Sequence, residues 1–322
     1  MIVTLTANPG LDRLVPLSGP LERGGVVRSA AAVDEPGGKG VNVARVVAAG
    51  GRTAVAVLPG HPDDPLLLAL RELRLVHRAV PIAAFARVNL TLAEPDGTTT
   101  KVNAPGAPLG PAVRAGLAEA LQREAAGARW AVLSGSLPPG VSAGWYAELV
   151  AALRSTGARV AVDTSGAALL ATAGPGADAA GLPDLLKPNA EELAELTGVD
   201  AGSASAAGAA LEADPAAAAE AARSLVERGV AEVLVTLGGR GALLVTADGA
   251  WHAQHAPVTP VSTVGAGDST LAGYLLADLD GADEAERLAV AVAHGTAAVQ
   301  LPGSSLPTPQ HLRRDLVTSQ RL

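Results

Sequence analysis

Asp268 follows two glycines and precedes an alanine- and leucine-rich run, within Val261-Ser262-Thr263-Val264-Gly265-Ala266-Gly267-Asp268-Ser269-Thr270. A β-branched segment that passes through glycine into a helical pattern lets backbone N–H groups turn inward. A helix opening near Asp268 aims the positive end of its dipole at the same point. Such a cradle attracts anions, and a carboxylate inside it is repelled by them, so the arrangement is costly unless it has a task. Taking the proton from a hydroxyl that attacks a phosphate is a task of that kind. The same residues also read as a plain strand–turn–helix joint with Asp268 as its N-cap. This stretch alone leaves both readings open.

Other segments offer matching chemistry. Ala7-Asn8-Pro9-Gly10-Leu11-Asp12 is a turn that delivers Asp12 just past the first strand, at the sheet edge where open parallel sheets hold ligands. Pro36-Gly37-Gly38-Lys39-Gly40-Val41-Asn42 opens a helix reaching about Ala49. It fails as a Walker A motif, since no glycine stands at position 33 and Gly40 replaces the Ser/Thr after lysine. It reads either as an anion or sugar contact or as a flexible helix entry with an exposed lysine. The glycines of Leu237-Gly238-Gly239-Arg240-Gly241 lack dinucleotide spacing and read as a tight hairpin, which leaves no dehydrogenase fingerprint. His252 and His255 read as surface residues rather than a metal pair.

Residue usage sharpens the choice. Lysine occurs only at Lys39, Lys101 and Lys187, and asparagine only at Asn8, Asn42, Asn89, Asn103 and Asn189, in a chain rich in alanine and arginine. GC-rich coding removes both residue types, so those that remain mark positions where substitutes fail. A compact ammonium is not replaced by a planar guanidinium in a tight site.

These residues must be positioned by elements whose periodicity is legible. Apolar strands are expected at 2–7, 53–58, 130–133, 158–163, 185–186 and 231–237, with a return at 242–247. Helices are expected at 36–49, 63–74, 111–126, 143–155, from 191, at 216–228, 269–279 and 284–299. Strand–helix alternation of this kind indicates a mostly parallel sheet covered on both faces. The strand-like pieces within 11–35 and the alternating hairpin 85–104, which carries Arg87, Asn89, Lys101 and Asn103, make a four-stranded flap inserted in two parts. Residues 201–215 are small and loosely patterned, and read as a surface loop.

Composition bounds the function. The net charge of −8 argues against nucleic acid or an anionic membrane as a partner. The absence of cysteine excludes disulfides, thiol catalysis and zinc–thiolate sites. No uncharged apolar run reaches the roughly eighteen residues that cross a bilayer. Met1-Ile2-Val3-Thr4-Leu5 reads as a strand rather than a signal peptide, so a cytoplasmic protein is expected.

Seven motifs, in order, make the chain resemble the ribokinase-like, phosphofructokinase-B family of sugar kinases over essentially its full length. They are Ala7–Asp12, Gly37-Gly38-Lys39-Gly40-Val41-Asn42-Val43-Ala44, Arg87-Val88-Asn89, Ser134-Gly135-Ser136-Leu137-Pro138, Lys187-Pro188-Asn189-Ala190-Glu191-Glu192, Thr236-Leu237-Gly238-Gly239-Arg240-Gly241 and Ser262–Ser269. The resemblance implies an α/β fold, a single ribokinase-like three-layer α/β/α domain over 1–322, with 11–35 and 85–104 as a β-sheet lid. It implies ATP-dependent phosphorylation of a phosphorylated ketohexose, fructose 1-phosphate first, with tagatose 6-phosphate or fructose 6-phosphate as alternatives. A non-catalytic sensor on the same fold would have no use for Asp268 as a base.

Carried over residue by residue, the resemblance makes Asp268 the base and the amides of Gly265, Ala266 and Gly267 the anion hole. Asp12, Gly37, Gly38, Asn42, Asn89 and Ser136 belong to the sugar site, and Lys39 and Arg87, helped by Lys101 and Asn103, to its phosphate. Lys187, Asn189 and Glu192 serve ATP and, through water, Mg²⁺, with Glu192 as the metal residue. Thr236, Gly238 and Gly241 border adenine and ribose. The lid implies a homodimer. One departure is Ala104-Pro105-Gly106, where an acidic residue often precedes Pro-Gly in the family.

Overall fold

Ile2–Leu5 is buried throughout, as a strand must be when helices cover both faces of its sheet. In the computed structural model, which describes residues 1–29, 31–199 and 202–322, this strand (β1) lies between two parallel neighbours in a ten-stranded sheet. The chain then leaves that sheet through β2 (Gly10–Pro16) and β3 (Val33–Gly37) and returns by α1 (Lys39–Ala49), β4 (Ala54–Gly60), α2 (Pro65–Glu72) and β5 (His77–Pro81). A second excursion, β6 (Arg87–Ala93) and β7 (Thr99–Asn103), precedes α3 (Pro111–Ala125) and β8 (Trp130–Ser134). Next come α4 (Trp145–Leu153), β9 (Arg159–Asp163), α5 (Gly166–Ala173), β10 (Leu185–Leu186) and α6 (Ala190–Thr197). Then follow α7 (Ala204–Ala213), α8 (Pro215–Glu227), β11 (Glu232–Thr236), β12 (Ala242–Thr246) and β13 (Gly249–His255). Two long helices, α9 (Ala266–Leu279) and α10 (Glu284–Val299), and the edge strand β14 (Val317–Arg321) complete the chain.

The sheet order is β14-β13-β12-β11-β10-β9-β8-β1-β4-β5. The strands from β11 to β5 are parallel, whereas β12, β13 and β14 run antiparallel. Period-two alternation divides the core. Val3, Leu5, Ala131 and Leu133 pack with α3 to α8, and Ile2, Trp130 and Val132 pack with α1, α2, α9 and α10. The result is a three-layer α/β/α sandwich. The chain reverses its march through the sheet at β1, and such a switch point opens a crevice at the carboxyl ends of the strands.

The two excursions pair as a separate four-stranded sheet, β3-β2-β6-β7. Its register, Asp12 opposite both Glu35 and Asn89, and Asn89 opposite Asn103, puts Asp12, Arg87, Asn89, Lys101 and Asn103 on one face.

The far end of α9 is anchored at the feet of the strands. Trp130 Nε1 donates to Asp278 at 2.8 Å, Tyr274 to Glu232 at 2.5 Å, and Arg287 pairs with both carboxylates. These bonds fix the axis of the helix whose opposite end carries Asp268.

Three expectations need correction. The segment read as a loop at 201–215 forms α7, capped by Ser203, and runs through Asp214 directly into α8. Alanine is the best helix former, and here that intrinsic preference, not an amphipathic pattern, makes the helix. Ala201 lies outside the described residues. Helix α9 begins at Ala266 instead of 269, because Gly265, with φ 74, serves as its N-cap. His255 is buried rather than a surface residue, its Nδ1 bonded to the Ala256 carbonyl.

Candidate active site

Asp163 ends β9 with no exposed surface. Lys39, the first residue of α1, donates from Nζ to Asp163 Oδ1 at 2.8 Å, so the reading of Lys39 as a free, exposed helix entry does not hold. Lys187, just past β10, places its Nζ 3.4 Å from Asp163 Oδ2. It reaches there because its own N–H continues the β9–β10 ladder to the Val162 carbonyl. Burial alone would raise the Asp163 carboxyl, but Lys187 and Lys39 more than offset it and hold it below the usual carboxylate range. Burial works against the Lys39 ammonium too, and Asp163 and Asp268 leave it above its ordinary value.

Asp268 lies in the first turn of α9, buried, and caps nothing: Gly265 occupies the N-cap and no side chain closes it. The N-cap reading of Asp268 is therefore excluded. Its Oδ2 instead accepts from Asn42 Nδ2 at 2.8 Å. Burial pushes the carboxyl up to about 6; Lys39 pulls it down, Asp163 pushes it up, and the Asn42 hydrogen bond and Lys187 also pull it down. Of the amides of this first turn, that of Ala266 points back to the Thr263 carbonyl at 3.5 Å, while those of Gly267 and Asp268 have no backbone partner among the described residues and remain for an anion. Gly265 is favoured by its left-handed φ of 74, and a Cβ there would also have to displace the end of the Leu306 side chain. Lys187 Nζ hangs over Gly267, 3.4 Å from where a Cβ would stand, so the ammonium and the open amides face one place.

On the side of the small sheet, Asn89 Nδ2 donates to Asp12 Oδ1 at 2.9 Å, and the Gly37 backbone lies against the same carboxylate. Burial raises the Asp12 carboxyl, while Asn89 and Arg87 draw it back. Arg87 donates to the Ala104 carbonyl at 2.8 Å but keeps a buried Nε without a hydrogen-bond partner, and Asn89 Oδ1 is in the same condition. Asn8 joins the crevice to the hydroxyl loop, donating to Ser136 Oγ at 3.3 Å and to the Pro105 carbonyl at 3.1 Å. That loop is held from behind by Tyr146 and Thr164, which both donate to the Gly135 carbonyl. Lys101 and Asn103 share the Asp12 face but are exposed, with no side-chain hydrogen bond to the cluster. Lys39 and Arg87, expected to serve one phosphate, share no partner: Asp163 holds the first and Ala104 the second.

Beyond α9 a cavity of about 770 Å³ opens, lined by Asn189, Thr236, Gly238, Gly241 and Gly267 among others. Asn189 and Glu192 form a reciprocal capping box on α6, each side chain accepting the other's backbone N–H at 2.8 Å. Burial raises the Glu192 carboxyl, opposed by the Asn189 amide and Lys187. Among the described residues no cluster of three or more His, Asp or Glu side chains is placed to hold a metal by itself.

The sequence reading missed two features. Asp163 was only the last residue of the strand expected at 158–163, and its one signal was a carboxylate at the end of a buried parallel strand. The face of α7 that lines the cavity, including Ser205, Gly208 and Glu212, was hidden by the reading of that segment as a loop.

A buried carboxylate beside an amide cradle, with the Lys187 ammonium over it and a roomy cavity behind, defines a phosphoryl-transfer enzyme on a three-layer α/β fold. The family model for pfkB family carbohydrate kinases matches residues 11–311. The chain belongs to that family and is an ATP-dependent sugar kinase. It is 38% identical to the 1-phosphofructokinase of Rhodobacter capsulatus, over 97% of this chain and 94% of the relative. It is 34% identical to the ATP-dependent 6-phosphofructokinase isozyme 2 of Escherichia coli, over 95% and 94%. The crystal structure of Escherichia coli phosphofructokinase-2 in complex with substrates and products superposes with a TM-score of 0.85 at 33% identity, covering 96% of each chain. No helix among the described residues is long and apolar enough to cross a membrane.

Proposed function

We propose that this protein phosphorylates fructose 1-phosphate to fructose 1,6-bisphosphate, with ATP as donor. The free hydroxyl at carbon 6 loses its proton to Asp268, its oxygen forms the new bond to the γ-phosphorus, and the bond from that phosphorus to the bridging oxygen of ADP breaks. The observation that carries this reading is the Asp268 carboxylate, buried, raised to about 6, and set in the open first turn of α9. A base with that affinity is ionised near neutral pH and still basic enough to take a proton from a hydroxyl in flight. The amides of Gly265, Ala266 and Gly267 stabilise the charge on the transferring group.

Asp12, Gly37, Gly38, Asn42, Asn89 and Ser136 hold the sugar hydroxyls. Arg87, with a buried Nε still unpaired, takes the substrate's own phosphate, with Lys39, Lys101 and Asn103 around it. Lys187 and Asn189 serve the nucleotide phosphates, and Thr236, Gly238 and Gly241 border the nucleoside. Mg²⁺ fits the Glu192 carboxylate, a hard oxygen donor with one oxygen beyond its capping bond, reached through water because Mg²⁺ keeps most of its hydration. When bound, Mg²⁺ neutralises charge on the nucleotide phosphates.

The small sheet acts as a lid that keeps water from the phosphoryl group. Its other face exposes Val88 and Val102, at 37% and 56%, which supports a homodimer through the lid. The net charge of −8 and the absence of cysteine suit a cytoplasmic enzyme with a small-molecule substrate and no nucleic-acid or membrane partner. Relatives named for fructose 6-phosphate chemistry favour that sugar as a second reading, with tagatose 6-phosphate beside it. An ADP-release assay across the three phosphosugars tests the assignment. Fructose 1-phosphate is expected to give the highest kcat/KM, by about tenfold or more. A preference for either other sugar overturns the substrate, and no turnover with any of them overturns the reaction.

A further inference from the structure

We infer that α7 forms the ribose-reading wall of the nucleotide site, with Glu212 accepting hydrogen bonds from the ribose hydroxyls and so selecting ribonucleotides over deoxynucleotides. This rests on the proposed use of ATP and names the residue that recognises its sugar. Helix α7 is docked by close packing: a Cβ at Gly208 would stand 2.7 Å from Glu191 Cα, so only glycine lets α7 press onto the start of α6. One turn further, Glu212 lies on the same face as Gly208, as does Ser205 one turn before, and all three line the cavity. The Glu212 carboxylate rests directly on Gly238, in the turn after β11, where any side chain would collide with it. It is half-buried, yet it forms no hydrogen bond or ion pair with any described residue.

The rest of the cavity assigns the neighbours of that carboxylate. Ala266 and Gly267 of α9 offer amides to phosphate, and Val292 and Val299 of α10 with Pro257 and Val258 offer apolar surface to a flat base. Phosphates repel a carboxylate, and adenine offers it a single donor group, the exocyclic amine, whereas the ribose offers two adjacent hydroxyls. The ribose is the one part of a nucleoside triphosphate that presents neutral hydroxyl donors, and a carboxylate binds such donors by charge-assisted hydrogen bonds. A half-exposed carboxylate with no partner among the described residues is free to take one from the ligand. The same charge would repel a nucleotide phosphorylated on its ribose.

The test is calorimetric binding of Mg·ATP, Mg·2′-deoxy-ATP and Mg·3′-deoxy-ATP to the wild-type chain, Glu212→Gln and Glu212→Ala, without sugar, so that an error in the phosphosugar does not affect it. Steady-state KM values follow with whichever sugar is turned over. The wild type is expected to bind at least one deoxy analogue about tenfold more weakly than ATP, the loss of a hydrogen bond to a charged group. Glu212→Ala is expected to weaken ATP to the level of the analogues, closing that gap with the sugar KM unchanged, and Glu212→Gln to fall between. The inference is overturned if the wild type binds all three nucleotides alike, or if Glu212→Ala shifts all three by the same factor in either direction. A uniform shift with a lowered Tm marks a merely structural residue. Failure of wild-type ATP binding overturns the nucleotide reading itself.

Discussion

Lys187 and Asp163 stand 3.4 Å apart with side chains exposed by only 3% and 0%, an ion pair almost wholly withdrawn from water. Asp163 also receives Lys39 at 2.8 Å, so one carboxylate holds two lysines. Removing one partner of a buried pair leaves the others uncompensated. Asp163→Asn is expected to cost about 3 kcal/mol, toward the lower end for a broken buried pair because Lys39 is partly solvated. Urea unfolding checks this, and a loss below about 1 kcal/mol contradicts it. Phosphate or ATP should restore more stability to Asp163→Asn than to the wild type, since an anion replaces the missing counter-charge.

The kcat/KM for the sugar should fall as pH drops below about 6, tenfold per unit, because Asp268 must be ionised to accept a proton and burial raises its carboxyl to about 6. Above about pH 7 this group imposes no further rise. A profile flat down to about pH 5 contradicts the assignment.

The same shift destabilises the fold at working pH. A carboxyl raised from 3.8 to about 6 favours the protonated folded state, so its contribution is fully present below pH 3.8 and is lost as pH rises through about 6. Asp268→Asn removes that loss. At about pH 8 it is expected to be more stable than the wild type by up to about 3 kcal/mol, with the gain vanishing near pH 4. Paired unfolding curves at the two pH values check this, and a gain independent of pH contradicts it.

Arg87→Ala is expected to raise the KM for the phosphosugar by about tenfold or more while that for ATP stays within about twofold, as loss of a guanidinium–phosphate pair requires. Equal effects on both substrates place Arg87 outside the phosphate site.

Much of this was legible in the sequence, and the gaps have physical causes. Buried parallel strands such as Ala54–Gly60 and Glu232–Thr236 announce themselves by continuous apolar content. Asp12, Lys39, Asn42 and Asp268 stood out because their polarity interrupts glycine-bearing turns, and Arg87 because it sits in an alternating hairpin. The half-exposed edge strands His77–Pro81 and Val317–Arg321 carry neither signal. Helix α5 was unseen because its run from Gly166 begins in turn residues, and α7 because alanine forms helix without marking a face. Asp163 acquires meaning only when the β8–β9–β10 pairing brings Lys187 beside it, a relation between strands that no local pattern contains.

The central claim is that Asp268 is the base, and turnover of Asp268→Asn tests it most directly. Asparagine keeps the shape and can still bond Asn42, so the sugar KM is expected to stay within a few-fold. The kcat is expected to fall by about 10² to 10⁴, the share that a positioned base supplies. A kcat within about threefold of the wild type would contradict the account.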